Sequence, residues 1–406
     1  MEKCFHTCRR ASGRRPASSR FVALIAIVSL FAWGTAAAVD GDLDPTFGSG
    51  GFTLTGVTTA SFQLPTRPVV QADGKILLCS ALNSGGSSGQ DFFIARFNAN
   101  GTLDTSFNFD GKVTVDFDGG NDFCNAIALQ SDGKIVVAGS TDNLVGNTDF
   151  AIVRLLPDGT RDTAFNATGR VTVGFDFVTS TYKRDQAGSV AIDSAGRIVV
   201  GGIAEKGPGG ISFDFAVARL LPNGQFDPNF DADGRATIGF DLGPSQSDLA
   251  YSMILQRDGK IVLAGYADTG SGTRSDDMGL ARLLADGSPD TGFGIGGKTT
   301  VAIDLTADGS DSATGIVEDS AGRLVIAGNA SASAAVARLH GNGDLDLSFG
   351  SFGKKTFDFG TAVGRFTGIA LQGTQIIATG VVTTATDSDN VVARLQVDLI
   401  FANGFE

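Results

Sequence analysis

One phrase is written six times along this chain, and this repeat constrains the fold more than any other feature. Its first half places a turn before an apolar run: QADGKILLCS from Gln71, QSDGKIVVAG from Gln130, DSAGRIVVGG from Asp193, QRDGKIVLAG from Gln256, DSAGRLVIAG from Asp319 and the shortened QGTQIIATG from Gln372. The turn glycines Gly74, Gly133, Gly196, Gly259 and Gly322 are 59, 63, 63 and 63 residues apart. A period of about sixty residues therefore leaves no room for a separate domain.

The second half of the repeat contains an arginine, a turn and an LDxxF-like phrase. Its copies are FFIARFNANGTLDTSF from Phe92, FAIVRLLPDGTRDTAF from Phe150, FAVARLLPNGQFDPNF from Phe215, MGLARLLADGSPDTGF from Met278 and AAVARLHGNGDLDLSF from Ala334. Each period divides into four short pieces rich in Val, Ile and Phe, which in the second copy are 112–117, 125–130, 134–139 and 150–155. Such pieces are typical of β-strands, and no helical periodicity competes with them. We therefore predict an all-β fold with four antiparallel strands per copy.

Radial repetition around an axis protects the unpaired edges of small four-stranded sheets. We predict a six-bladed β-propeller over residues 39–397, closed by pairing of the N- and C-terminal repeat elements. LDPTFG appears at Leu43 before any complete repeat, and the last repeat stops after VVARLQV (391–397) without such a phrase. The alternative is an open solenoid, which normally has atypical capping repeats. The sequence contains no such repeats.

The paired phrases DGKIVVAG and ARLxxDGxLDxxFG resemble the delta-60 repeat family of secreted bacterial proteins. The resemblance covers Leu43 to about Val397, and it is specific because several positions recur together. It implies a β-propeller-like fold and a bacterial source. It implies no particular activity, since the family has none that is established.

Several residues recur in register with the repeat. An arginine occupies the last strand-like piece, an aspartate occupies the LDxxF phrase, and a phenylalanine ends that phrase. They are Arg96, Arg154, Arg219, Arg282, Arg338 and Arg394; Asp44, Asp104, Asp162, Asp227, Asp290 and Asp346; and Phe47, Phe107, Phe165, Phe230, Phe293 and Phe349. Because Arg154 shares a strand face with apolar residues, we expect each arginine to be partly buried and to pair with an LDxxF aspartate. The phenylalanines are predicted to pack between blades, with a ligand-stacking platform as the alternative.

The first 38 residues have the three parts of a secretory signal peptide. Residues 1–20 carry six basic side chains and one acidic one, an apolar run follows over 21–33, and Ala36 and Ala38 give the small-x-small cleavage pattern. A membrane anchor is the alternative, but 13 apolar residues are fewer than the about 20 that span a bilayer. Cleavage after Ala38 changes the net charge from −13 to −18. We therefore predict export and exclude nucleic acid as a partner, because a polyanion is repelled by an acidic surface.

The sequence offers little for nucleophilic or transition-metal chemistry. A single histidine, His340, remains after the predicted cleavage, and it occupies a turn position where other copies have Pro, Asn or Ala. We predict no catalytic residues and no bound cofactor. Ca²⁺ is the exception that stays open, because the tracts 116–122, 231–234 and 304–312 resemble calcium loops without matching their full spacing.

Cys79 and Cys124 are the two cysteines of the predicted mature chain. Both align with alanines of other copies, Cys79 with Ala138 and Cys124 with Ala187, so both occupy small core positions. They form either a disulfide in an oxidising compartment or a pair of buried thiols.

In an up-and-down blade, alternate connections emerge at the same end of the sheet. One end collects the repeated DGK turns and LDxxF phrases, and the other collects variable loops at 81–91, 140–149, 176–186, 204–214 and 266–277. Variable loops on a rigid frame are where binding usually occurs. The insertion with Tyr182, Lys183, Arg184 and Asp185 departs most from the repeat and is the predicted binding site, although a solvated loop explains it as well.

We therefore predict a secreted or cell-envelope binding scaffold, a monomer that recognises a glycan, cell-wall material or a protein. The alternative is an extracellular carbohydrate-active hydrolase or lyase that uses carboxylates at one end of the propeller axis. Near-equivalent repeats favour the scaffold, because the sequence contains no unmatched set of acids.

The tail DLIFANGFE (398–406) lies beyond the last repeat. It resembles short IF-x-NGFE endings of secreted proteins from some Gram-negative bacteria. The resemblance implies a sorting signal and a periplasmic or extracellular location, with a frayed terminus as the alternative.

Overall fold

The computed structural model describes residues 43–54, 67–83, 89–142, 146–175, 183–207, 212–243, 246–270, 276–303, 309–360, 362–384 and 387–396. The chain divides into two compact units, Met1–Asp44 and Pro45–Glu406, and every strand below belongs to the second. The predicted signal peptide, Tyr182 and the tail 398–406 lie outside the described residues.

The strands form six sheets of consecutive antiparallel neighbours. The first three sheets are β1 (Val69–Val70), β2 (Ile76–Asn83), β3 (Gln90–Phe97) and β4 (Lys112–Val115); β5 (Asp122–Leu129), β6 (Ile135–Asp142), β7 (Thr148–Leu155) and β8 (Arg170–Val173); and β9 (Gln186–Ile192), β10 (Ile198–Glu205), β11 (Phe213–Leu220) and β12 (Arg235–Ile238).

The other three sheets repeat this plan. They are β13 (Leu249–Leu255), β14 (Ile261–Asp268), β15 (Asp276–Leu283) and β16 (Lys298–Val301); β17 (Asp311–Glu318), β18 (Leu324–Ala330), β19 (Ser333–Leu339) and β20 (Lys354–Phe357); and β21 (Val363–Gln372), β22 (Gln375–Thr383) and β23 (Ser388–Leu395). The described chain is therefore all-β, and it contains no helix long and apolar enough to cross a membrane.

The grouping of strands differs from the sequence prediction by one strand. The piece at 112–117 was expected to begin the second sheet, but β4 pairs with β3 as the last strand of the first sheet, with Phe92 opposite Val115. The LDxxF phrase connects β3 to β4, which lies antiparallel beside β3 in the same sheet. The chain crosses to the next sheet only after β4. A period alone does not define which strand begins a sheet.

The core lies between consecutive sheets. One cluster joins the first two sheets through Leu77, Phe92, Phe107, Ile127 and Val137. The middle strands of a sheet contact neighbours on both faces, which explains why β6, β10 and β11 are continuously buried rather than alternating. Cys79 on β2 and Cys124 on β5 form a disulfide in this cluster, with their Cα atoms 6.0 Å apart. This bond resolves the two alternatives for the cysteines.

Four of the repeat arginines, Arg96, Arg154, Arg219 and Arg282, join two neighbouring sheets, and we call this unit the lock. In the second sheet, Nε of Arg154 donates to Oδ2 of Asp162 at 2.8 Å, and its guanidinium lies 4.6 Å from the ring centre of Phe165. Its Nη1 donates to the backbone oxygen of Pro222 in the next sheet. The same pairing of arginine Nε with the aspartate eight residues later occurs at Arg96, Arg219, Arg282 and Arg338.

The phenylalanine of each lock also reaches the next sheet. The ring of Phe107 packs on Gly159, where a Cβ atom would lie 2.7 Å from the ring. The N–H of Asn108 donates to the backbone oxygen of Asp158 at 2.7 Å. Phe107, Phe165, Phe230 and Phe293 are fully buried in this way, which is the predicted packing role and leaves their faces closed to a ligand.

The two ends of the array differ from its interior. Near the N-terminus, the ring of Phe47 packs on Gly101, and the N–H of Gly48 donates to the oxygen of Asn100 at 2.6 Å, as in an ordinary lock. In the last sheet, no strand among the described residues pairs with the outer edge of β23. Arg394 on that strand is exposed, unlike the other repeat arginines.

Candidate functional site at the loop end of the sheets

The connections of each sheet divide between two ends. The DGK turns and the LDxxF phrases lie at the one we call the turn end. The connections between the second and third strands, and between the fourth strand and the next sheet, lie at the other, which we call the loop end. Although β4 belongs to the first sheet and not to the second, the predicted variable loops still lie together at the loop end.

The predicted binding residues occupy different environments. Tyr182 lies outside the described residues. Lys183 is half-buried, and its backbone oxygen accepts the N–H of Thr148 at 2.7 Å. Arg184 is exposed, and its guanidinium lies 5.4 Å from the ring centre of Phe213 on the next sheet.

Asp185 departs from the expectation of an exposed binding residue. It is 1% exposed, and its Oδ2 accepts the N–H of Phe175 at 2.7 Å while its Oδ1 accepts the N–H of Glu205 at 3.0 Å. Asp185 therefore fixes the backbone at the junction between the second and third sheets. The sequence placed Asp185 in a loop insertion, but the structure places it directly before β9, in register with Asp122, Asp248 and Asp311.

This buried aspartate recurs at the loop end. Oδ2 of Asp122 accepts the N–H of Phe117 at 2.7 Å, Oδ2 of Asp248 accepts that of Phe240 at 2.6 Å, and Asp311 does the same for Ile303. Burial raises the pKa of Asp122 and that of Asp248 to about 6 in each case. Hydrogen bonds oppose the shift, from the Thr141 side chain and the Phe117 N–H at Asp122 and from backbone N–H groups at Asp248. Full burial keeps both carboxyl groups out of reach of a large substrate.

At the junction of the first and second sheets, two further acids lie beside this recurring aspartate. Asp91 on β3, Asp116 after β4 and Asp122 on β5 each offer a carboxylate oxygen, and the three oxygens lie within 4.8 Å of one another. Asp91 and Asp122 are buried, whereas Asp116 is exposed. This is the one such group of acids found in the described part of the chain. We call it the acid cluster.

The first strands of neighbouring sheets contact one another, so β5, β9, β13, β17 and β21 form the inner side of the array. Each has a bulge near its start, and the bulged residues are Asn125, Gly188, Tyr251, Thr314 and Thr367. Sequence reasoning missed these residues, although their variation within an otherwise regular strand was a usable signal. Tyr251 is 42% exposed and its ring centre lies 6.0 Å from that of Tyr266, which makes it the aromatic surface of this region.

Arg67 also lies on this inner side. Its Nη2 donates to the backbone oxygens of Thr314, at 3.4 Å, and Thr367, at 3.3 Å. Arg67 precedes β1 in the first sheet, whereas its acceptors belong to the fifth and sixth sheets. Arg67 therefore links the segment before the first sheet to the fifth and sixth sheets on the inner side.

The turn end contains a cleft of about 270 Å³ between the third and fourth sheets, lined by Asp193, Arg197, Arg219, Gln256 and Arg257 among others. Two of its arginines have partners already, since Arg197 Nε donates to Asp193 at 2.6 Å and Arg219 belongs to a lock. His340 lies at the same end, with its Nε2 atom 3.8 Å from Oδ1 of Asp346 and its side chain 54% exposed. The repeated turn residues therefore have a structural role at the turn end of the sheets.

The calcium-like tracts have separate positions. The tract 231–234 follows Phe230 at the turn end, and residues 304–308 lie outside the described residues. The tract 116–122 lies at the loop end and supplies two members of the acid cluster.

Five segments of the chain, residues 71–107, 130–165, 196–230, 256–293 and 322–349, match a family model described as "Domain of unknown function (DUF5122) beta-propeller". No curated protein sequence matches the chain.

Solved structures similar to this chain include a protein of unknown function from Dyadobacter fermentans, with 10% identity, 82% of this chain and 94% of that chain covered, and a TM-score of 0.46. An α-L-arabinanase from Penicillium chrysogenum has 10% identity, coverage of 85% and 96%, and a TM-score of 0.45. A gluconolactonase from Xanthomonas campestris has 13% identity, coverage of 79% and 82%, and a TM-score of 0.38.

Proposed function

We propose that this β-propeller repeat protein is an exported binding scaffold, closed into six blades, which recognises its ligand through the loop end. The observation that carries the proposal is the difference between the two ends of the sheets. At the turn end the same locks recur from sheet to sheet, whereas at the loop end the connections vary in length and sequence. Variable loops held by a rigid, regularly repeated framework are suited to the recognition of a ligand.

The N-terminal element supports the proposed closure into a ring. Phe47 and Gly48 dock on the first sheet as the fourth-strand connection of a preceding sheet would, and the sheet that lacks a fourth strand is the last one. By the register of β3 and β4, Phe52 would face Ala393, Thr53 would face Val392 and Leu54 would face Val391. Phe52, Leu54 and Val392 are 56%, 78% and 70% exposed, and this pairing would cover them.

Export is supported by the disulfide. Cys79 and Cys124 are bonded, and such bonds persist in oxidising compartments such as the periplasm and the extracellular medium. The signal peptide predicted over 1–38 gives a route to these compartments, and the tail 398–406 is proposed as a sorting signal. Secretion of a chain truncated after Val397, compared with the full chain, tests the role of the tail.

A glycan, cell-wall material or a protein remains the proposed ligand. Exposed Arg184 over Phe213 supplies a planar cation above an apolar surface, and Tyr251 supplies an aromatic face. The alternative activity, hydrolysis or lysis of a polysaccharide, requires a carboxylic acid of raised pKa that touches substrate. Asp122 and Asp248 have raised pKa values, but both are fully buried and engaged with backbone N–H groups.

The test is a binding screen of the purified protein against glycans and cell-wall fragments, with hydrolysis of the same polysaccharides followed in parallel. We expect binding without product formation. Arg184→Ala should weaken that binding, whereas Lys134→Ala, at a DGK turn of the turn end, should not. Product formation would favour the hydrolase, and equal binding by both variants would move the site away from the loop containing Arg184.

A further inference from the structure

The acid cluster differs from the equivalent positions of the other sheets in its composition. Asp116 is replaced by glycine or alanine at three of these positions, Gly174, Gly239 and Ala302. At those positions a lysine or arginine of the next sheet donates to the backbone oxygen of the residue, as Arg235 does to Gly174 at 2.6 Å. Only the junction of the first and second sheets therefore combines this backbone contact with three carboxylates in the described structure.

The hydrogen bonding of the buried aspartate there also differs from that in the third and fourth sheets. Oδ1 of Asp185 accepts the N–H of Glu205 at 3.0 Å, and Oδ1 of Asp248 accepts the N–H of Asp268 at 3.1 Å. The equivalent donor in the second sheet is the N–H of Asp142, which instead donates to the backbone oxygen of Asn121 at 2.9 Å. Oδ1 of Asp122 is consequently buried with no hydrogen-bond partner.

The diverted hydrogen bond depends on Gly120. A Cβ atom at this residue would lie 1.3 Å from the backbone oxygen of Asp142, so any other residue would force the two segments apart. The loop is thus built around an arrangement that frees an oxygen of Asp122. A buried carboxylate oxygen without a donor is costly unless something else binds it.

The charge of the cluster points to a cation. Three carboxylates within 4.8 Å repel one another unless they share a proton or bind a positive ion. Arg170 is the described cation beside them, and it donates to the backbone oxygen of Asp116 while its Nη2 lies 3.5 Å from Oδ1 of Asp118. Asp91 and Asp116 each raise the pKa of Asp122 further, after the larger effect of burial. The carboxylates of the three acids thus concentrate negative charge in a small volume, which favours the binding of a cation.

We propose that Asp91, Asp116 and Asp122 form a Ca²⁺ site that joins the first and second sheets at the loop end. Ca²⁺ takes about six to eight oxygen ligands at about 2.3 to 2.6 Å in flexible geometry, whereas Mg²⁺ needs a near-ideal octahedron at about 2.0 to 2.1 Å. The three carboxylates come from separate segments, β3, the residue after β4 and β5, and such a set suits the more tolerant ion. The site does not depend on what the loop end recognises.

The experiment is a titration of the EDTA-treated, dialysed protein with CaCl₂ by calorimetry, with thermal unfolding recorded at each concentration and MgCl₂ as a comparison. We expect a dissociation constant in the range of about 10⁻⁴ to 10⁻³ M that is common for extracellular modules, weaker binding of Mg²⁺, and a higher unfolding temperature with Ca²⁺. The absence of both heat and stabilisation by Ca²⁺ would overturn the proposal.

The matched variants are Asp116→Gly and Asp118→Asn. Asp116 is exposed, and glycine occupies its equivalent position in the second and third sheets, so the first variant should fold. Asp118 lies in the same tract but outside the acid cluster. We expect Asp116→Gly to weaken Ca²⁺ binding at least about tenfold, because the site loses a charged ligand, and Asp118→Asn to bind within about twofold of the wild type. Equal affinity of Asp116→Gly and wild type, with the same circular dichroism spectrum, would assign the ion to another tract and overturn the proposal.

Discussion

Nε of Arg154 lies 2.8 Å from Oδ2 of Asp162, and both side chains are 7% exposed. The pair is buried within one sheet, while Nη1 of the same arginine bonds a backbone oxygen of the next sheet. One residue therefore neutralises a buried carboxylate and connects two neighbouring sheets.

Removal of this arginine should be strongly destabilising. Arg154→Ala leaves Asp162 buried without its charge partner and removes the contact to Pro222, so we expect a loss of about 3 to 5 kcal/mol in the free energy of unfolding. Arg161→Ala is the matched control, because this arginine is exposed, and its effect should stay within about 0.5 kcal/mol. Urea denaturation of the three proteins measures both values. An unchanged Arg154→Ala variant would contradict a structural role for the lock.

The disulfide should contribute measurably to stability. It closes a loop of 45 residues, for which the chain-entropy relation gives about 4 kcal/mol. We expect reductant to lower the unfolding temperature of the wild type and to leave the Cys79→Ala/Cys124→Ala variant unaffected, because the variant has no disulfide to reduce. The variant should fold, since alanine is the residue of the equivalent positions in other sheets. Mass spectrometry under nonreducing conditions checks the bond, and two free thiols in the native protein would refute it.

The buried aspartates should make stability depend on pH in an unusual direction. Burial raises the pKa of Asp248 in the folded protein from 3.8 to about 6, so the folded state holds this proton more tightly than the unfolded chain does. The contribution of Asp248 to stability therefore increases as the pH falls from about 6 towards 4, and it is lost as the pH rises through 6. Between pH 4 and 7 the effect amounts to at most about 3 kcal/mol.

Asp248→Asn should flatten this dependence. Unfolding free energies at several pH values compare the variant with wild type and with Asp258→Asn, an exposed turn residue at the other end of the same sheet. The control should retain the wild-type pH profile. Parallel profiles for Asp248→Asn and wild type would show that the carboxyl group is not titrating in this interval.

Closure of the ring can be measured by a designed cross-link. In the proposed register Thr53 faces Val392, so Thr53→Cys/Val392→Cys should form a second disulfide within one molecule. Nonreducing electrophoresis and peptide mapping distinguish this product from a covalent dimer. Thr53→Cys with Asp389→Cys, which are not opposite one another in this register, is the control. Predominantly intermolecular cross-links would instead indicate strand exchange between molecules.

Sequence periodicity predicts much of the frame because local signals and long-range packing agree there. The spacing of Arg154 and Asp162 is the same in every complete copy, and Arg154 lies on β7 while Asp162 lies in the connection from β7 to β8. The strand that begins each sheet could not be predicted in this way, because a repeat period gives the spacing of equivalent residues and not the point in the repeat at which a sheet starts. Asp185 appeared to be a loop residue because its backbone role depends on Phe175 and Glu205, which come from two different sheets.

The acid cluster shows where the sequence becomes insufficient. Asp116 and Asp122 belong to one tract and were recognised as a calcium-like motif. Asp91 lies on β3 and reaches them only through the stacking of the first sheet on the second. The free Oδ1 of Asp122 results from a diverted backbone hydrogen bond, which residue types alone do not reveal.

The arrangement of the lock also affects how such a chain can grow. Arginine, aspartate and phenylalanine of one lock come from a single repeat, while the accepting oxygen and the glycine under the ring come from the next. A tandem duplication of the gene segment for one repeat would therefore insert a sheet that brings its own donor and offers an acceptor to its predecessor. The arginines on both sides of the new sheet would keep an acceptor, so a single duplication would change the number of sheets without breaking a lock.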